Sequence, residues 1–458
     1  MIQWNNIYGK IGFVGHHFRA IKRILPSFLF NVLLPTLDVY SDLSLIIPWY
    51  LANHWKYALS MTLPLVLQFA STIYKWFQFE CPKQKRWTWI LLLLQLWPQW
   101  RAIRVLKLLY KNDKRHQKQQ IELLRGIGSS EAFLEAAPSI IIMTIIWVSL
   151  GDGVYIANSL ECGNERMCTS LNRSCEKKKN ACAVFGGFGG VEWFFMTYAI
   201  SVFTGGLGIT KFLQIGPCSV LTEEGPLGGI LTGGFILTYL AVMFSLLTKG
   251  LFIAIFVHSL QWNFSFSFFG YSYGQSFPFV FSFILMMLFL FTLMPNILMS
   301  FFVILNVSGC NFKKFIKVIV GYPSVWLLPT VTYFAVGPKM SSRCCPRKTF
   351  KHEESELGLS KFYTVANLLL TIISYGVMVT LFLVIPKRME ELYWVWHFTP
   401  CFVPVLCFGI IFTISFLFLD KKCCHQSHKC CCLRFYELRY QYINLNEENN
   451  QVGICQLS

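Results

Sequence analysis

Apolar positions along this chain do not recur every second or every third to fourth residue. They come in runs of 20 or more, at about 28–50, 56–79, 131–150, 184–210, 227–260, 275–305, 362–385 and 398–419. An uninterrupted apolar run of that length reads as a transmembrane helix, whereas a membrane β-barrel shows short alternating segments. Two further stretches are wrong for crossing. Residues 87–100 give 14 residues before Arg101, a helix of about 21 Å against a hydrocarbon core of about 30 Å. Residues 319–336 are interrupted by Gly321, Pro323 and Pro329. Both fit re-entrant helices that dip in and return. The pattern predicts an all-α polytopic membrane protein with eight transmembrane helices and two re-entrant helices. The order span, span, re-entrant, span, span occurs twice, which predicts two parallel pseudo-repeats. The expected organisation is a cytosolic N-terminus over 1–27, a first membrane repeat over 28–210, a cytosolic linker over 211–226, a second repeat over 227–419 and a Cys-rich cytosolic tail over 420–458.

Composition sharpens this. The 458 residues are 54% hydrophobic and 14% charged, which leaves a soluble enzyme without a solvated face and excludes disorder for most of the length. The net charge is +17, which on a soluble protein would point to nucleic acid. Sorted by side, 30 of the 40 Lys and Arg fall in the cytosolic segments of the eight-span scheme and 8 outside, with Lys75 and Lys249 inside spans. Full crossing of both short stretches would change the ratio to 23 against 15. The positive-inside rule therefore favours re-entrance and both termini in the cytosol, and the charge reads as orientation and inner-leaflet contact, with no nucleic-acid partner.

The outer loop 151–183 carries Cys162, Cys168, Cys175 and Cys182 together with the sequon Asn172-Arg173-Ser174. Four cysteines beside a glycan acceptor read as two extracellular disulfides, with three pairings open, and as glycosylation at Asn172. In the tail, Cys423, Cys424, Cys430, Cys431 and Cys432 follow Lys421 and Lys422 just past the last span. That placement fits S-palmitoylation and attraction to anionic lipid. A zinc site with His425 and His428 is the rival, but adjacent cysteines fit finger spacing poorly, so no metal and no cofactor are expected.

Charges inside the apolar runs carry the chemistry. Asp38 and Asp42 in the first span are four apart and share a helix face, and Glu131 and Glu135 repeat the spacing at the start of the third. Lys249 lies in the fifth span and Lys75 near the end of the second. Each such charge costs about 2.5–3.5 kcal/mol on insertion scales unless paired or hydrated. Lys249, Lys75, Arg101 and Arg104 are the expected cations. The faces read either as an ion-pair network clamping the spans or as a polar path for an ion, a solute or a lipid headgroup. No HExxH, GxSxG or P-loop pattern occurs, so no enzyme is expected. The glycines of 186–190 read as close helix packing rather than phosphate binding.

At these residues the chain resembles the XK-related family of membrane proteins. The resemblance rests on LDVYSDLSL in the first span, QLWPQWRAIRVLKLLYK, EAFLEAAPSI, GLGITKFLQIGPCSVL and the Lys in SLLTKGL, covering about residues 30–255 in order. Ser139 stands where the family usually has Gln after Ala-Ala-Pro, which leaves the fold expectation unchanged. The resemblance implies eight spans plus two re-entrant helices in two repeats. It also implies a plasma-membrane phospholipid scramblase that exposes phosphatidylserine, as in apoptosis. Asp38, Asp42, Glu131 and Glu135 would line its lipid path, with Lys249 as counter-charge. The alternatives are a non-scrambling membrane partner or docking subunit, as XK is to the Kell protein, and a solute transporter. The implied partners are membrane phospholipids and an accessory membrane subunit or a second copy of the chain. Some family scramblases are activated by caspases, which cleave after Asp. Asp113 and Asp420, the cytosolic aspartates outside spans, lack an acidic residue three positions earlier. Activation by phosphorylation or a partner, or else a role that is not regulated scrambling, is therefore expected. Incubation with an executioner caspase should leave the chain uncut; a discrete tail fragment would contradict this.

Overall fold

The computed structural model describes residues 28–51, 55–80, 85–111, 127–150, 190–213, 233–268, parts of 287–305, 312–321, 323–334, 336–338, 357–359, 361–384 and 403–415. The outer-loop cysteines, Asn172, the tail cysteines, the N-terminal 27 residues and most of the 211–226 linker lie outside the described residues. The described chain is helical apart from β1 (Val336–Pro338) and β2 (Leu357–Leu359), a three-residue antiparallel ladder that pairs Val336 with Leu359. This short ladder leaves the fold class all-α.

Helix lies on each of the eight predicted runs. In chain order these are α1 (Leu29–Leu51), α2 (Trp55–Phe79), α5 (Ile127–Val148), α6 (Gly190–Leu213), α7 (Gly233–Phe268), α8 (Thr292–Phe301), α11 (Lys361–Val384) and α12 (Val403–Ser415). Four of them, at Leu29–Leu51, Ile127–Val148, Glu192–Thr210 and Ile236–Ala254, are long and apolar enough to cross a membrane. The burial pattern is inverted relative to a soluble bundle. Helix α2 exposes Leu59, Leu63, Val66 and Leu67 while it buries Gln68, Ser71, Thr72 and Lys75. Apolar side chains on the exterior, with polar side chains buried beside the apolar core, suit a membrane-embedded protein, because lipid tails are as apolar as leucine and polar groups must find partners inside the bundle.

Helix α5 is the centre of the fold. Its Ala132, Phe133 and Ile140 pack with Val202 of α6 and with Ala241, Val242 and Leu246 of α7. Its Met143 and Ile146 join a second cluster with Val39 and Trp49 of α1, Met61 of α2 and Phe194 of α6. Small residues allow the close approach to α6: a Cβ at Gly205 would stand 3.2 Å from the Ala136 Cβ.

Two helices contain a wider π turn, at Leu29–Leu33 in α1 and Ala132–Ala136 in α5. In each the backbone N–H closes on the fifth residue back, Leu34 to Leu29 and Ala137 to Ala132. A proline follows each within two residues, Pro35 and Pro138. Proline has no N–H to donate and its ring collides with the carbonyl four residues earlier, so an extra residue in the turn relieves the clash.

Both predicted re-entrant stretches are broken helices. The first comprises α3 (Lys85–Leu93) and α4 (Trp97–Lys111). Between them Gln95 adopts φ 56°, the left-handed region. The Leu96 N–H donates to Leu91 O at 2.7 Å and the Gln95 N–H to Leu92 O at 2.9 Å. This nested pair is a Schellman C-cap, with Gln in the place glycine usually takes. The second comprises α9 (Phe312–Gly321) and α10 (Pro323–Val331), with proline at the first helical position, where its missing N–H costs nothing.

Candidate functional site

The acidic faces of α1 and α5 meet inside the bundle. Asp38, Asp42 and Glu135 are each 0% exposed and Glu131 is also buried. The i, i+4 spacing puts both aspartates on the side of α1 that faces α5 and α6, while Leu33, Leu37, Tyr40 and Ile47 occupy its exposed side. Glu135 lies within the π turn of α5. Its charge interacts with those of Asp38, Glu131 and Asp42, so the four carboxylates form one cluster.

Hydroxyls serve two of its members. Ser201 of α6 donates its Oγ–H to Asp38 Oδ1 at 2.7 Å. Ser139 of α5 donates to Asp42 Oδ2 at 2.9 Å. The second oxygen of each aspartate, and both oxygens of Glu135, have no hydrogen-bond partner among the described residues. Lys75 of α2 donates to Ser130 Oγ and interacts with the Glu131 charge. Lys75 thus meets the acidic cluster at its Glu131 end. Among the described residues, no three Asp, Glu, His or Cys are arranged to hold a metal ion.

The other expected cations are elsewhere. Arg101 pairs with Glu80 at 2.6 Å, and Arg104 stacks on the Trp100 ring at 4.6 Å. Lys249 corrects the expectation of a counter-charge to the carboxylates. It donates to Pro329 O at 2.6 Å and to Asn296 Oδ1 at 3.4 Å, and lies 5.9 Å from the Tyr333 ring centre. Among the described residues its hydrogen bonds go to a helix-end carbonyl and a side-chain amide oxygen, and none goes to Asp38, Asp42, Glu131 or Glu135.

Three contributors escaped the sequence. Ser139 and Ser201 look like ordinary small residues in apolar helices and gain meaning only when α5 and α6 close on α1. Glu80 ends the second span beside Cys81 and Pro82, where it resembles a solvated loop residue. The usable signal for Ser139 was its polarity one turn after Glu135.

Because each serine satisfies one buried carboxyl oxygen, Ser139→Ala and Ser201→Ala should each destabilise the bundle. The expected loss is about 0.6 kcal/mol per bond, the average for hydrogen bonds between membrane helices, and at most about 1.7 kcal/mol. Thermal unfolding of the purified protein in detergent checks this, and wild-type stability in both would contradict it.

No family model matches this chain, and no curated protein matches it.

Proposed function

We propose that this chain is a phospholipid scramblase of the plasma membrane. In this reading it has eight spans and two re-entrant hairpins in two repeats, with both termini in the cytosol. Lipids including phosphatidylserine move down their gradient beside Asp38, Asp42, Glu131 and Glu135, without ATP. The observation that carries the reading is Glu135. A carboxyl buried at the centre of an apolar bundle with neither oxygen hydrogen-bonded among the described residues is costly. A purely structural position is filled more cheaply by a well-packed apolar residue. Polar groups kept at such a cost inside a membrane bundle mark a transport path more often than a clamp.

The path is closed in this conformation, because the three innermost carboxylates have no exposed surface. Headgroups reach them when α1 parts from α5 and α6, which breaks the two serine bonds. Acyl chains stay in the bilayer beside the apolar outer face.

The same full burial favours a second reading, a non-scrambling membrane partner in which the acidic faces only hold α1, α5 and α6 together. Reconstitution into vesicles with labelled lipids separates the two. A scramblase equalises label between leaflets without nucleotide and retains an entrapped small solute; a docking subunit leaves the label where it began.

A further inference from the structure

We propose that Glu80 and Lys249 are positioning residues that seat the two broken-helix hairpins, each against the helix end whose dipole its charge complements. Neither belongs to the acidic cluster. The inference concerns how the hairpins are held and stands apart from whether lipid crosses beside the carboxylates.

In the first broken helix, α3 is capped at Gln95 and the chain re-enters helix at Trp97, the first residue of α4. Glu80, directly after α2, meets that first turn. Its Oε1 accepts from the Trp97 indole Nε1–H at 2.7 Å and from the Arg101 guanidinium at 2.6 Å. A carboxylate beside a helix N-terminus is favoured by the partial positive charge there. The preceding arm, α3, is tied to α2 by the Trp76 indole, which donates to Thr88 Oγ1 at 2.9 Å. Trp76, Leu92 and Trp97 then pack together beneath the turn.

The second hairpin uses the opposite charge at the opposite end. Helix α10 stops at Val331, so the Pro329 carbonyl is among the last four, which find no donor within the helix. The Lys249 ammonium fills that place, where a cation is favoured by the partial negative charge of the C-terminus. Asn296 of α8 accepts from Lys249 and from the Tyr363 hydroxyl, the latter at 2.8 Å, and so brings α8 and α11 into the fastening. Asn367 of α11 donates to Thr332 O and Tyr333 O, both at 3.4 Å. The chain contains no Asp or Glu between Glu224 and Glu353. No carboxylate within the apolar runs of this half is available to Lys249, and a helix terminus takes that role.

Hydrogen–deuterium exchange on the full chain in nanodiscs tests this with a readout independent of lipid transport. In Lys249→Met, which keeps the apolar stem and removes charge and donors, amides of 328–334 should exchange about tenfold faster while those of 97–101 are unchanged. In Glu80→Leu the pattern should reverse. Lys249→Arg should keep the wild-type rates, because charge and donors remain. If either substitution prevents folding, Lys249→Gln and Glu80→Gln carry the same comparison with a polar head retained. Wild-type exchange at both hairpins in the neutral variants overturns the proposal. So does equal protection in Lys249→Met and Lys249→Arg, or a uniform rise across α5 and α6 in place of a local one.

Discussion

Gly208→Ala, a single added methyl, is expected to destabilise the bundle by about 1–3 kcal/mol, the usual cost of overpacking. A Cβ at Gly208 would stand 2.4 Å from the Ala132 Cβ and 3.1 Å from the Gly128 carbonyl oxygen. The first distance is impossible for two carbons, and the second involves backbone, so α6 must retreat from α5. That retreat falls on the π turn that carries Glu135 and pulls Ser201, two turns away on α6, from Asp38. Helix propensity acts the other way, since alanine is favoured over glycine by about 1 kcal/mol in a helix interior. The control is therefore Gly376→Ala, where nothing lies within 4 Å of the new methyl, and which should be neutral or stabilising. Ala132→Gly should restore most of the stability lost in Gly208→Ala, because it removes the atom that is struck. Thermal unfolding of the four proteins in detergent checks the prediction. Equal stability of Gly208→Ala and Gly376→Ala would contradict it.

Some of this architecture was readable from the chain alone. The apolar runs located the helices because hydropathy depends on local composition, and the short runs at 87–100 and 319–336 announced their breaks through length and proline. The place of the first break was not readable: Gln95 takes a left-handed backbone with no glycine to mark it. The π turns were not readable, since the prolines that follow them, Pro35 and Pro138, imply at most a kink and not the wider turn that absorbs it. The acidic cluster was legible because carboxylates four apart must share a face. Its partners were not, since Ser139 and Ser201 lie 97 and 163 residues from the aspartates they serve. Opposite charge and the family resemblance both point Lys249 at the carboxylates. A helix C-terminus offers a cation a comparable partner, and only the tertiary packing shows which is near.

The acidic faces differ from the rest of the buried polar network in what their removal should do. Asp42→Asn and Glu135→Gln keep size and acceptor oxygens and delete the charge. Replacing a poorly compensated buried charge in this way is often neutral or stabilising, so the double variant should fold, insert and unfold at a temperature no lower than wild type. Function should respond in the opposite direction, because headgroups crossing an apolar core need the field and hydration that ionisable groups supply. A structural clamp predicts no such divergence: its removal changes stability and nothing else.

The decisive measurement is transbilayer exchange of labelled phospholipid in vesicles that hold equal amounts of correctly inserted wild-type protein or the Asp42→Asn/Glu135→Gln variant, with an entrapped small solute as a leak control. The predicted result is nucleotide-independent exchange by the wild type, exchange at the protein-free rate by the variant, and solute retained in both. Unchanged exchange in the well-inserted variant would contradict the charged path.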